Sequence, residues 1–198
     1  MAGTSAPIDR AGSNEDSLAI LRKLAAAGFF TFLLSLSAQF KVPMPPDGVP
    51  QTLQTLVVAL AAMGLGGRWG MFSVLMYIAI GALGAGVFSE GKAGIGVLVG
   101  QTGGYLLGFV IAQPVISSII RRKDNTVRGW AAIVTAMLAG HAVIFLLGVP
   151  WLAHVREFPI GRAIQGGFVP FIPGMIVKTI AAVCIGLAVW PRSARRFW

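Results

Sequence analysis

Lys178 is the one charged residue inside any of the long apolar stretches of this sequence, and this makes it the first candidate for chemistry. A lysine inside a membrane-spanning helix costs roughly 2.5 to 3.5 kcal/mol, so such a residue usually has a functional partner. The preceding segment PFIPGMIV, residues 170 to 177, breaks and restarts the helix. The amides of a helix start and a nearby ammonium both favour a bound anion. The alternative is that Lys178 extends its butyl stem to the membrane surface.

A second polar group forms the end of the proline-rich segment KVPMPPDGVPQTLQT, residues 41 to 55. Its prolines prevent a helix, and irregular backbone at membrane depth needs partners from protein or from a wet cavity. The side chains that come next, Gln51, Thr52, Gln54 and Thr55, are therefore candidates for lining such a cavity. The alternative is a connecting loop followed by an ordinary helix start at Thr52.

The stretch from 93 to 120 contains a third interruption. As one helix it would be about 42 Å long, which exceeds a hydrocarbon core of about 30 Å. GQTGGY, residues 100 to 105, supplies the break, and Thr102 is predicted to cap a helix over 103–120. Gly104, Gly108 and Ala112 then recur at the spacing of a close helix contact. All three interruptions are predicted on the outer side, which indicates an outward-facing pocket for an apolar molecule that carries a carboxylate or a comparable acceptor.

Catalytic chemistry finds little support in the residues. The seven acidic residues all lie outside the apolar stretches: Asp9, Glu15, Asp16, Asp47, Glu90, Asp124 and Glu157. Paired carboxylates, a metal site and a proton relay are therefore not expected. GVFSEGKA, residues 86 to 93, is close to a phosphate-binding loop, but Ala93 stands where the magnesium ligand belongs, so we interpret it as a coincidence. His141 is expected to bond within the bundle, and the alternative is a contact with the ligand. We predict no enzyme activity, no cofactor and no metal.

The elements that must position these residues are membrane helices. Of the 198 residues 56% are hydrophobic and only 12% are charged, which is too apolar a composition for a soluble domain of this size. Six apolar stretches are near the length of a membrane span: residues 24–40, 53–67, 69–88, 93–120, 130–152 and 164–190. We predict an all-α membrane protein with six transmembrane helices and irregular outer segments. Residues 22–192 form this domain, residues 1–21 a disordered cytoplasmic tail and residues 193–198 a basic cytoplasmic tail.

Charge patterning predicts the orientation. The segments on one side hold eleven basic residues: Arg10, Arg22, Lys23, Arg68, Arg121, Arg122, Lys123, Arg128, Arg192, Arg195 and Arg196. The segments on the other side hold four: Lys41, Lys92, Arg156 and Arg162. The positive-inside rule then places both termini in the cytoplasm of a multi-pass cell-membrane protein. Tryptophans at helix ends, including Trp190, agree with these spans. The net charge of +9 is split among short clusters, so nucleic acid is not an expected partner.

Several ordered motifs give a more specific resemblance. VPQTLQTL, GLGGRWG, GVFSEGKAGIGVLVGQTGGYLLGF and PFIPGMIVK, spread over residues 24 to 190, resemble the BioY family of biotin-uptake proteins. These are the substrate-binding S components of energy-coupling-factor transporters. The resemblance implies six helices, an outward-facing biotin pocket, and coupling to a transmembrane T component with two ATP-binding-cassette ATPases. Two alternatives are an S component for another small carboxylate vitamin and a membrane scaffold or enzyme subunit whose pocket binds lipid.

The resemblance also implies roles for individual residues. The carboxylate or the ureido oxygen of biotin is expected near Lys178, with the apolar rings among Phe88, Tyr105, Gly103 and Gly104. Further candidate contacts are Thr52, Gln54, Lys92, Gln101, Thr102 and Met175. Three of these depart from the family pattern, because Met175 replaces the usual acid, Gln101 replaces a proline, and Lys92 replaces a smaller residue. On the first helix, Ala27, Thr31 and Ser35 are predicted to dock the T component.

Overall fold

Helices make up most of the described chain. The computed structural model describes residues 10–42, 48–122 and 127–189. Its α-helices are α1 (Arg10–Gln39), α2 (Gln54–Ala82), α3 (Ile95–Val99), α4 (Gly103–Ile120), α5 (Trp130–Val155), α6 (Ile160–Gly167) and α7 (Ile172–Val189). Single 3-10 turns cover Ser89–Gly91 and Val169–Phe171. Two short strands, β1 (Lys41–Val42) and β2 (Gln51–Thr52), pair antiparallel, with Lys41 opposite Thr52.

Five helical stretches of the described residues are long and apolar enough to cross a membrane. They are Glu15–Gln39, Gln54–Ala82, Gly103–Ile120, Trp130–Val155 and Ile160–Val189. Their exposed surfaces carry many large apolar side chains, as lipid-facing helices require. The predicted fold class, an all-α membrane protein, is confirmed.

The second of these stretches is a helical hairpin. At Gly66 the backbone has φ 77° and ψ 175°, which only glycine adopts readily, and the chain reverses there. Gln54 donates a hydrogen bond from Nε2 to the Tyr77 hydroxyl at 2.8 Å, although a straight helix would separate these residues by about 35 Å. The first arm, residues 54–65, and the second arm, residues 67–82, correspond to the second and third predicted helices. Each of the six predicted helices therefore has a helical counterpart among the described residues, although five stretches there are long and apolar enough to cross a membrane.

Two predicted boundaries are wrong. The third predicted helix was expected to continue to residue 88, but it ends at Ala82, because Gly84 adopts φ 108° and begins an irregular segment. The first helix begins at Arg10 rather than at residue 24, so residues 10–21 are helical and not part of a disordered tail. The sequence NEDSLAILRKL contains strong helix formers and lacks proline and glycine, which explains the extension. The predictions for residues 1–9, for the prolines at 43, 45 and 46, for Trp190 and for residues 193–198 concern positions outside the described residues.

The predicted interruptions are confirmed where GQTGGY and PFIPG stand. Residues 100–102 separate α3 from α4, and residues 168–171 separate α6 from α7. Thr102 occupies the N-cap position of α4, but its hydroxyl donates to the carbonyl of Val97 at 3.4 Å and makes no capping bond. The prediction that Thr102 caps the helix is therefore correct in position and wrong in chemistry.

The small residues of α1 pack within the chain. Ala27 and Thr31 are buried, and the Thr31 hydroxyl donates to the carbonyl of Ser73 in the second arm of α2 at 2.9 Å. Ser35 is half-buried on the same side, and its hydroxyl donates to the Thr31 carbonyl at 3.0 Å. Ala27 and Thr31 thus let two helices of one chain approach closely, and docking of a partner subunit by the stripe of Ala27, Thr31 and Ser35 stays a prediction.

Candidate functional site

A cavity of about 530 Å³ lies where the interrupted segments meet. Its volume is within the roughly 300 to 1,000 Å³ typical of small-molecule pockets. The wall is formed by the segment of residues 49–55, by Tyr77 in the second arm of α2, by the loop of residues 83–94 that we name the mouth loop, by α3, and by the facing parts of α4, α5 and α7. These parts are the ones predicted on the outer side of the membrane. The three interruptions therefore share one cavity, as the sequence predicted.

Lys178 reaches this cavity from α7, about one and a half turns after the helix start. The residue is only 4% exposed, and its ammonium donates a hydrogen bond to the carbonyl of Thr52 at 2.9 Å. Thr52 belongs to β2, so this hydrogen bond joins the strand to α7. The ammonium is thus held inside the bundle, and the alternative that Lys178 extends to the membrane surface is wrong.

Amides and hydroxyls of the QTLQT segment surround the same end of the cavity. The Thr52 hydroxyl donates to Oε1 of Gln54 at 3.0 Å, and the Gln54 amide donates to the Tyr77 hydroxyl. Thr55 lines the cavity, and its hydroxyl is buried and makes no hydrogen bond within the described part of the chain. Because a buried hydroxyl without a partner is costly, Thr55 is a suitable contact for the polar group of a ligand. Gln51, by contrast, lies off the cavity and donates to the Phe171 carbonyl at 3.3 Å.

Aromatic rings form the middle of the cavity wall. Tyr105 stacks on Phe171 with ring centroids 6.3 Å apart, and its hydroxyl donates to the Gly167 carbonyl at 2.9 Å. Phe145 meets the same Phe171 ring edge-on at 5.3 Å. On the opposite side Phe88 is buried against Gly81 of the second arm. These rings provide a rigid apolar slot between the polar end and the entrance.

Basic groups occupy the entrance. Arg156, in the turn after α5, donates to Oε1 of Gln101 at 3.3 Å, and both residues line the cavity. Lys92 of the mouth loop pairs with Glu90 at 2.6 Å, and Glu90 also pairs with Lys41 of β1 at 2.6 Å. The hydrogen bond from Lys41, followed by that from Lys92, lowers the pKa of the Glu90 carboxyl to about 2. The entrance therefore carries partly exposed positive charge.

The structure brings most of the predicted site residues to the cavity wall. Those on the wall are Thr52, Gln54, Phe88, Lys92, Gln101, Thr102, Tyr105 and Lys178. Their contact with a ligand stays a prediction. Sequence reasoning missed Tyr77, Ser89, Phe171 and Arg156. Arg156 was used only to assign the orientation, although a basic residue directly after an outer helix end was a usable signal.

Gly103, Gly104 and Met175 do not line the cavity, so their predicted contacts are wrong. A Cβ atom at Gly103 would overlap the Leu98 carbonyl, and one at Gly104 would overlap Trp151 of α5. These glycines therefore permit helix packing and not ligand approach. Met175 is half-buried and packs against the apolar core.

His141 bonds inside the bundle, as expected. It is 3% exposed, and its Nδ1 lies 2.7 Å from the carbonyl of Met137, one turn earlier in α5. It does not line the cavity.

Comparison with known proteins gives one consistent result. The model of the BioY family matches residues 10–195. The chain is 38% identical over 167 residues to "Biotin transporter BioY" of Thermotoga maritima, covering 84% of this chain and 95% of that protein. It is 37% identical over 147 residues to "Biotin transporter BioY2" of Lactococcus lactis, covering 74% and 79%. A crystal structure of the S-component for biotin from an ECF-type ABC transporter has the same fold, with a TM-score of 0.77 and 24% identity over 85% of this chain and 90% of the other.

Proposed function

Because this chain belongs to the BioY family, we propose that it is the membrane component of a biotin uptake transporter that binds the vitamin for ATP-driven import. It is a transporter component and not an enzyme. The observation that carries the proposal is the cavity itself, which has the buried Lys178 at one end, an aromatic slot in the middle and basic groups at the entrance.

Biotin has the matching order of chemical groups: a ureido ring, an apolar fused ring system with an aliphatic chain, and a carboxylate. A ureido oxygen accepts hydrogen bonds, and the ammonium of Lys178 is its proposed donor, with the hydroxyl of Thr55 as a second candidate. The carboxylate then lies near Lys92 and Arg156, where it keeps part of its hydration and avoids the cost of burying a charge. We therefore assign the ureido ring to the buried end and the carboxylate to the entrance.

Calorimetry on the purified chain tests both the ligand and its direction. Biotin should bind, and its uncharged methyl ester should bind no more than about fivefold weaker, because an exposed ion pair contributes little. A loss of about ten- to a hundredfold for the ester would place the carboxylate at Lys178, since a charged hydrogen bond in a dry pocket is worth much more. If folded protein does not bind biotin but binds another vitamin tightly, the assignment of biotin as the ligand is refuted.

Transport itself is assigned to partner subunits. We propose that a T component couples this chain to two ATP-binding-cassette ATPases, and the apolar stretches without an acidic residue and the lack of a complete phosphate-binding loop in the sequence support this. The proposed orientation places both termini in the cytoplasm and the entrance outside. Cells that express this chain with such subunits should accumulate labelled biotin, and an ATPase variant that cannot hydrolyse ATP should abolish accumulation. Accumulation that survives the ATPase variant would contradict ATP coupling.

A further inference from the structure

Glu90 connects two separate parts of the cavity entrance. Its carboxylate lies 2.6 Å from the ammonium of Lys41 and 2.6 Å from that of Lys92. Lys41 belongs to β1, whereas Glu90 and Lys92 both belong to the mouth loop. The Lys41 pair therefore crosses between segments, while the Lys92 pair stays within the loop.

The base of the mouth loop is fixed independently. Gln39, at the end of α1, donates from its side-chain amide to the carbonyls of Val87 and Phe88 at 3.3 and 3.1 Å. The Phe88 ring is buried and meets Tyr77 edge-on at 5.4 Å. Glu90 itself adopts φ 67°, a conformation that non-glycine residues rarely occupy without compensation from their surroundings. The two ion pairs are interactions that favour this conformation of the loop tip.

The segments that Glu90 joins stand on two sides of the entrance. On one side, Lys41 belongs to β1, which pairs with β2, and Pro50 directly before β2 lines the cavity. On the other side, Ser89 and Lys92 of the mouth loop line it. Separating β1 from the loop tip would widen the cavity between these two walls.

We propose that Glu90 is an ionic tie that holds β1 against the mouth loop and thereby limits the rate at which biotin enters and leaves. The identity of the ligand rests on the proposed function, whereas the tie rests on the geometry of the entrance. The side chains of the two pairs are about one-third to one-half exposed, so each pair is individually weak. We therefore expect a change of about two- to tenfold in exchange rate when the tie is broken.

Dissociation of labelled biotin from the full chain in lipid nanodiscs tests the tie. Glu90→Gln removes both ion pairs, and Lys41→Gln removes only the pair that crosses between the segments. Both variants should release biotin about two- to tenfold faster than the unsubstituted chain. Glu157→Gln is the matched control, because it makes the same charge change in the exposed turn after α5, outside both segments. If Glu90→Gln accelerates biotin release and Lys41→Gln does not, the proposal is overturned, since the pair with Lys92 and not the pair that crosses between the segments would then set the rate.

A measurement without ligand separates this proposal from the proposed function. In a Cys184→Ala background, Thr102→Cys places a thiol on the cavity wall away from both tied segments. A polar thiol reagent should modify it about two- to tenfold faster when Glu90→Gln or Lys41→Gln is added. Unchanged modification in these variants would overturn the tie even if biotin binds normally. Failure of the unsubstituted chain to bind biotin would instead refute the assignment of biotin as the ligand. The modification rates would still show whether the Glu90 ion pairs restrict access to the cavity.

Discussion

Replacing Lys178 by methionine should weaken biotin binding by about ten- to a hundredfold. The side chain is 4% exposed, so a hydrogen bond from its ammonium to the ligand forms away from water. A hydrogen bond to a charged group is worth about 1.5 to 3 kcal/mol, and this sets the expected loss of affinity. Methionine keeps the packing of the aliphatic stem and removes the charge. The variant should still insert into the membrane, because the substitution removes the insertion cost of a lysine in a membrane helix, which is roughly 2.5 to 3.5 kcal/mol at the helix centre.

Calorimetry on the purified variant measures this loss, and Lys92→Met supplies the comparison. Lys92 carries the same charge on the same cavity, but it is exposed and shares Glu90, so its removal should cost no more than about fivefold in affinity. Thermal unfolding checks that Lys178→Met remains folded after losing its bond to the Thr52 carbonyl. If folded Lys178→Met binds biotin within twofold of the original affinity, the reasoning is refuted. The hydrogen bond from the buried ammonium to biotin would then contribute almost nothing to the binding free energy.

Three further outcomes are expected. In an otherwise cysteine-free chain in intact cells, an impermeant thiol reagent should modify Glu157→Cys and leave Arg122→Cys unmodified; the reverse pattern would overturn the orientation. Gly104→Ala should destabilise the fold by about 1 to 3 kcal/mol because its methyl overlaps α5, whereas Gly161→Ala has open space and should unfold at the original temperature. Because the ion pairs lower the pKa of Glu90 from 4.5 to about 2, the tie is lost only as pH falls toward 2, so dissociation of biotin methyl ester, which has no carboxyl of its own to titrate, should be constant between pH 8 and 4; a rise centred near pH 4.5 would contradict the ion pairs.

The helices and the position of the cavity could be predicted because each depends on local chemistry. Apolar stretches of membrane length have no alternative to helix in a bilayer, and prolines and glycines interrupt them wherever they stand. Lys178 was identifiable for the same reason, since a charge in such a stretch is costly without a partner. The reversal at Gly66 was also within reach, because GLGGR combines glycines with a basic residue at the predicted inner side.

The roles of small residues could not be predicted from the sequence. A stripe of small side chains, such as Ala27 and Thr31, marks a close helix contact but does not say whether the other helix belongs to the same chain. The same ambiguity affected Gly103 and Gly104, which admit Leu98 and Trp151 rather than a ligand. The choice depends on which helices become neighbours, and only the tertiary arrangement determines that.

The absence of an acid at position 175 has a structural explanation in the position of Thr52. The family pattern implies a carboxylate three residues before Lys178, where it could hold the ammonium within the bundle. In this chain the Thr52 carbonyl accepts that hydrogen bond, while Met175 packs into the core. A carbonyl is neutral, so it orients the ammonium without cancelling its charge, and more of that charge remains for an acceptor on the ligand. Affinity should consequently depend more strongly on Lys178 here than in relatives that carry the acid, and Met175→Asp should reduce the effect of Lys178→Met on biotin binding in a double-mutant cycle.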